Sequence, residues 1–140
     1  LSGLVGSEMC IRDSLEIEVL NNLPGVKSAR YAGPEKNSIK NLNKVLDELK
    51  NNNFRKAKFK TVISLIFNGK LNLFQGVING EITHHKIGNK GFGYDSIFRP
   101  NNSIKTFGEM SFVEKNKISH RAIAINKLKK FLMKVYDWIF

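Results

Sequence analysis

Two short segments hold most of the side chains with usable chemistry. The first is Gly91-Phe92-Gly93-Tyr94-Asp95. Glycines on both sides of an aromatic let the backbone approach a ligand closely. Phe92 and Tyr94 offer faces on which a purine can stack, and Asp95 is a candidate to accept a hydrogen bond from a base or ribose, or to help hold a metal. An ordinary turn with core aromatics would use the same residues. The second segment is Glu114-Lys115-Asn116-Lys117-Ile118-Ser119-His120-Arg121. Ser119 reads as the start of a helix, whose free backbone N–H groups and positive dipole end favour an anion. His120 and Arg121 fall on that first turn and Lys115 just upstream. Arginine adds a planar fork suited to phosphate or to a carbonyl pair. A solvated basic helix start is the plainer reading of these residues taken alone. No GxxxxGK[ST] phosphate loop occurs in the chain.

The elements that must position these segments are legible in outline. Residues 15–20 (LEIEVL) alternate apolar and acidic, as a strand or a helix start, before the turn chemistry of Asn21-Asn22-Leu23-Pro24-Gly25. Ile39, Leu42, Val45, Leu46 and Leu49 recur at helical spacing and predict an amphipathic helix over 36–50. Residues 58–67 (KFKTVISLIF) read as a strand, Asn68-Gly69 as a tight hairpin and residues 71–83 as the partner strand. Gly76 and Gly80 inside that partner suggest a bulge or a close backbone approach. A glycine-rich loop over 88–93 then feeds a short strand over 94–98, closed by Pro100. Ser111 and Glu114 form a capping box. A second helix begins at Ser119 and runs to about residue 135, its buried stripe made by Ala122, Ile125, Leu128, Leu132 and Val135. A hairpin with flanking helices gives an α/β or α+β domain.

Composition sets the frame. The chain has 140 residues, with 23 Lys and Arg against 12 Asp and Glu and a formal net charge of +11. The length fits one domain, and the apolar content is enough for a core. No run reaches the roughly 18 unbroken apolar residues of a membrane helix. A single cysteine, Cys10, excludes an internal disulfide framework and a multi-cysteine zinc site. The expected setting is a soluble domain of the cytoplasm. The positive charge is lysine-rich and evenly spread, which suits an anionic ligand better than a nucleic-acid duplex. His84-His85 reads as a surface pair. Residues 1–14 (LSGLVGSEMCIRDS) contain neither lysine nor asparagine and have no clear period, and LVGSEMCIRDS resembles a translated sequencing-adaptor sequence. They read as a non-native leader, with the domain over 15–140.

Taken in order, PGVKSARYAG, KAKFKTVISL with its hairpin, GNKGFGYDSIF and TFGEMSFVEKNKISHRAIAINKL resemble the inosine triphosphate pyrophosphatase family, the non-standard purine nucleoside triphosphate pyrophosphatases. GFGYD followed by EKNxISHR is the specific pairing, and the resemblance covers about residues 15–132. It implies a mixed-sheet, elongated α/β fold and a cytoplasmic homodimer. It also implies Mg²⁺-dependent hydrolysis of deaminated purine nucleoside triphosphates (ITP, dITP, XTP) to the monophosphate and pyrophosphate. Phe92, Gly93, Tyr94 and Asp95 would line the nucleoside pocket. Lys115, His120 and Arg121 would hold the phosphates or the purine 6-oxo oxygen. A donor aimed at that oxygen would leave an adenine amine facing another donor, at a cost of about 1–3 kcal/mol, which is a route to sparing ATP.

The departures carry expectations of their own. Ser96 stands where the family usually has proline, and Ala122 where it usually has glycine. The family's opening phosphate loop and first acidic residues are absent. Asp13-Ser14-Leu15 matches the family's DSGL with the glycine missing, which implies Asp13 as metal ligand and general base and Ser14 as a substrate contact. The same two residues also complete the leader-like stretch. Attack on a triphosphate needs a metal to neutralise charge and a base to orient water. The expectation is therefore a chain that keeps the nucleotide-binding part, loses most of the catalysis and is marginally stable. A small basic RNA-binding domain is one alternative, although no RNP-like or KH-like motif is present, and no sequence-specific nucleic-acid partner is expected. A Maf-like pyrophosphatase shares the fold class but not these motifs.

Overall fold

The alternation of residues 56–67 builds the centre of the molecule. The structure, a computed structural model, describes residues 8–139; residues 1–7 of the leader-like stretch and residue 140 lie outside the description. Strand β3 (Lys56–Phe67) buries Ala57, Phe59, Thr61, Ile63 and Leu65 on one face, because successive side chains of a strand point to opposite sides. Asn68 and Gly69, both with positive φ (51° and 74°), turn the chain into β4 (Lys70–Ile82), with Phe67 opposite Lys70. That is the expected two-residue hairpin. Strand β1 (Glu8–Ile17) pairs along the other side of β3, with Asp13 opposite Thr61 and Leu15 opposite Phe59. It runs across the boundary between residues 14 and 15. Short strands β2 (Leu23–Gly25) and β5 (Phe98–Pro100) complete the sheet in the order β2-β1-β3-β4-β5. Every pairing among the described strands is antiparallel. The chain mixes helices with sheet, as an α/β domain should, but the sheet itself is not mixed in direction over these residues.

Helices cover one face of the sheet. Helix α1 (Ser38–Glu48) starts where the Asn37 side chain accepts the Lys40 N–H, two residues inside the span read from the sequence. Lys36 stays outside because its backbone is left-handed, φ 55°. Leu42, Val45 and Leu49 pack with Leu15, Ile17, Phe59, Phe98 and Phe107, whereas Ile39, expected in the stripe, lies on the exposed side. Helix α3 (His120–Ile139) closes a second cluster around Ile63 and Leu65. Its buried positions are Ala124 and Leu128, flanked by Phe131 and Leu132; Ala122 is only half-buried and Ile125 is exposed. The phase differs from the expected stripe because the helix lands on the sheet at Gly76. A Cβ there would collide with the His120 carbonyl and the Ala124 N–H, so glycine lets helix backbone rest on strand backbone. Gly80 likewise makes room for β5, at the Arg99 carbonyl. Both glycines mark close approaches.

The expected strand over 94–98 is not formed. Asp95–Ile97 is a 3-10 turn with Tyr94 before it, and the strand begins at Phe98. The cause is local: the Asp95 carboxylate accepts the Phe92 N–H at 3.0 Å, and the Asp95 N–H reaches the Phe92 carbonyl at 3.1 Å, which curls the segment. Arg55 was not singled out by the sequence, yet it is buried. Its guanidinium donates to the carbonyls of Ile82 (2.7 Å), Thr83 (2.7 Å), Leu49 (2.9 Å) and Asn52 (3.0 Å), tying the end of α1 to the end of β4. No helix among the described residues is long and apolar enough to cross a membrane.

Candidate functional site

A corner between two helices assembles the site. Helix α2 (Phe112–Ile118) opens with the expected capping box: the Ser111 hydroxyl accepts the Glu114 N–H, and the Glu114 carboxylate accepts the Ser111 N–H. Ser119 ends it, donating its N–H to the Lys115 carbonyl, and its hydroxyl then accepts the Ala122 N–H at the start of α3. This serine sets Lys115 on one helix beside His120 and Arg121 on the next.

Those three residues border a cavity of about 670 Å³. Phe92, Gly93, Tyr94 and Asp95 line it from the glycine-rich loop, and Asp13 and Ser14 from β1. All nine residues singled out in the sequence therefore meet around one space, and Tyr94 and Arg121 share it.

Their situations differ. Phe92 is 61% exposed and presents its ring, with the Lys115 Nζ 4.6 Å and the Arg121 Cζ 4.9 Å from its centre. Tyr94, read as a second stacking face, is buried instead, and its hydroxyl donates to the Ser28 carbonyl at 2.6 Å. Burial pushes that phenol well above its ordinary range. Gly93 is left-handed (φ 58°) with open space beside it, and Gly91 (φ 77°) leaves room for the Asp95 carboxylate. Asp95 is buried and holds the Lys115 ammonium at 2.5 Å, so it braces the loop against α2.

Asp13 lines the cavity from β1. Its carboxylate accepts from Arg121 through both Nε, at 2.8 Å, and Nη2, and from the Thr61 hydroxyl at 2.5 Å. Burial pulls this carboxyl upward, but the Arg121 and Thr61 donors and the Arg121 charge outweigh it and hold the group below its usual value. His120 stacks on Phe59 with ring centres 4.7 Å apart, and its Nε2 lies 3.7 Å from Asp13. Its Nδ1 is buried without a hydrogen-bond partner. Burial drives its pKa down to about 4; Asp13 opposes the shift, while the Arg121 and Lys115 charges add to it. The imidazole is neutral at neutral pH.

Sequence reasoning missed part of the wall. Ser28 accepts the Leu15 N–H on its hydroxyl and places its carbonyl under Tyr94; Phe59 supplies the floor for His120. Their long-range partners left no local pattern to read. Chemically, the cavity offers an exposed aromatic face, several cations and one spare buried nitrogen, a set suited to a flat base carrying an anionic tail. Among the described residues, no three His, Cys, Asp or Glu side chains group to hold a metal ion. Both cavity carboxylates are instead paired with cations.

A model of the Ham1 family matches residues 7–131. A dITP/XTP pyrophosphatase of Christiangramia forsetii is 51% identical over 127 residues, which cover 89% of this chain and 67% of that protein. A dITP/XTP pyrophosphatase of Flavobacterium johnsoniae is 50% identical over 121 residues, covering 85% and 63%. Among solved structures, the Staphylococcus aureus Ham1 protein superposes with a TM-score of 0.89 at 40% identity, over 95% of this chain and 70% of that one. A HAM1 protein from Coxiella burnetii gives 0.87 at 36% identity, over 95% and 69%. The chain spans about two thirds of the length of the curated relatives it matches.

Proposed function

The chain belongs to the Ham1 family, and from that premise we propose that its cavity takes deaminated purine nucleoside triphosphates, ITP, dITP and XTP, for cleavage to the monophosphate and pyrophosphate. One observation carries the reading: the Phe92–Asp95 loop and the Lys115–Arg121 corner, distant in sequence, border a single cavity. In this reading the purine lies on the exposed face of Phe92, the one open ring of the loop. Donors from Lys115 and Arg121 surround the edge or tail that carries oxygen. A hypoxanthine or xanthine carbonyl satisfies such donors; an adenine amine does not, and the mismatch costs about 1–3 kcal/mol. Asp95 and Ser28 act by position, holding Lys115 and Tyr94.

The family implies a divalent-metal cofactor, which the resemblance narrows to Mg²⁺. The described residues do not fit one. Among the described cavity residues the candidate metal ligands are Asp13, whose oxygens face Arg121, Thr61 and His120, and Asp95, which is paired with Lys115. No catalytic step is therefore assigned through a metal here. What this chain supplies is recognition of the nucleotide, and slow turnover is expected of it. The same reading places it in the cytoplasm as a homodimer, on the strength of the family resemblance alone. Neither an RNA-binding domain nor a Maf-like enzyme is favoured by the family match.

Calorimetric titration with ITP, XTP and ATP, followed by measurement of pyrophosphate release, tests the reading. Binding of ITP or XTP about tenfold tighter than ATP, the equivalent of ~1.4 kcal/mol, is the expected result. Equal affinity for all three would reject it.

A further inference from the structure

Two cations at the cavity have no acid to hold them. Lys36 stands between β2 and α1, and Lys90 belongs to the glycine-rich loop; both are exposed and both line the cavity. Among the described residues, neither ammonium has an ion-pair or hydrogen-bond partner, while Lys115 and Arg121 are each paired with a cavity aspartate. Four cationic side chains thus face two carboxylates, and the unmatched charge rests on Lys36 and Lys90.

Their placement is imposed from outside the ammonium groups. Lys36 sits in a left-handed backbone position (φ 55°), next to Asn37, whose side chain caps α1. The Lys90 N–H donates to the Gly108 carbonyl at 2.8 Å, which pins its loop to the segment before α2. The two lysines therefore come from separately anchored loops and converge on one space.

We propose that Lys36 and Lys90 form a clamp for the phosphate tail of the nucleotide, and that this clamp works without a divalent cation. The inference rests on the nucleotide reading above and concerns two residues to which the resemblance assigns no role. Lysine binds phosphate as a mobile point charge, so two of them bordering one cavity suit a flexible polyanion better than a planar group. A divalent ion ligated by the cavity carboxylates would have to take Asp13 from Arg121 or Asp95 from Lys115, removing one cation from its partner for each carboxylate gained. Direct phosphate–ammonium contact needs no such exchange.

The test is calorimetric titration of the 140-residue chain with ITP and with inosine, each in EDTA and in Mg²⁺. ITP should bind in EDTA at least as tightly as in Mg²⁺. The double variant Lys36→Ala with Lys90→Ala should weaken ITP about tenfold while moving inosine by less than about threefold, since the lost contacts are electrostatic. Lys36→Arg with Lys90→Arg should keep most of the ITP affinity, and Lys129→Ala, on the outer side of α3, should change neither ligand. An equal loss for ITP and inosine, no loss for ITP, or ITP binding that needs Mg²⁺ would each overturn the clamp while leaving the nucleotide site standing. A chain that binds neither ligand rejects the nucleotide reading and the clamp with it.

Discussion

The Lys115 ammonium and the Asp95 carboxylate meet at 2.5 Å with side chains only 15% and 6% exposed. The pair joins the glycine-rich loop to helix α2, and Asp95 also accepts the Phe92 N–H. Removing one member leaves the other charged and largely out of water, which costs about 3–5 kcal/mol for a buried pair. Lys115→Ala and Asp95→Ala should each destabilise the chain by about that much in urea unfolding. The double variant should cost clearly less than the sum of the two. Additive losses would show that the pair is not a unit.

Phe92 makes the contrasting case. Its ring is 61% exposed, so Phe92→Ala should change folding stability by less than about 0.5 kcal/mol. Nucleoside binding should fall by about 1–3 kcal/mol, the usual worth of one base stacked on an aromatic. Inosine titrations and thermal melts on the same variant separate the two effects.

Gly76 links the sheet to the site. An added Cβ would meet the backbone of His120 and Ala124, which cannot swing aside. Gly76→Ala should cost about 1–3 kcal/mol by overpacking, and it should weaken ITP as well, because His120 and Arg121 ride on the displaced turn. Gly69→Ala, at the hairpin tip with nothing near its Cβ, should leave ITP affinity unchanged. Titration of both variants with ITP makes the comparison.

Acid should loosen the fold through His120. Its folded pKa is lowered from 6.5 to about 4. Above pH 6.5 the imidazole is neutral in both states and folding is indifferent to pH through this group. As pH falls from 6.5 toward 4, the unfolded chain takes up a proton that the folded chain refuses, so stability declines across that window and then levels off. Asp13, held below its ordinary value of 3.8, adds a further loss at the acid end. Unfolding free energy measured between pH 7 and pH 4 should fall, by at most about 1.4 kcal/mol per pH unit from one group. His120→Gln should flatten that slope; an unchanged slope would remove His120 as its source.

What could be read from the residues was what neighbours in sequence decide. The Asn68-Gly69 hairpin, the Ser111–Glu114 capping box and the restart at Ser119 are each fixed within a few positions, and each is present. The cluster at 91–95 and the one at 114–121 were recognisable as chemistry because each is dense. What escaped notice depends on distant partners. The phase of α3 is set by Gly76, more than forty positions earlier. The curl after Tyr94 follows from an Asp95 carboxylate that turns back to Phe92 rather than forward along a strand. Arg55 carried no local signal because the four carbonyls that receive it come from two separate segments. The roles of Ser28 and Phe59 at the cavity went unread for the same reason.

The serine corner between α2 and α3 has a geometric consequence. Each residue added to or removed from a helix rotates everything beyond it by about 100° around the axis. The non-helical Ser119 breaks that dependence, so the direction of Lys115 and the directions of His120 and Arg121 are chosen separately. A one-residue insertion immediately after Ser119 would leave the lysine aimed at Asp95 while swinging the histidine and arginine away from the cavity. The spacing across this joint works like the tooth count of a gear, tolerating changes of residue type far better than changes of number.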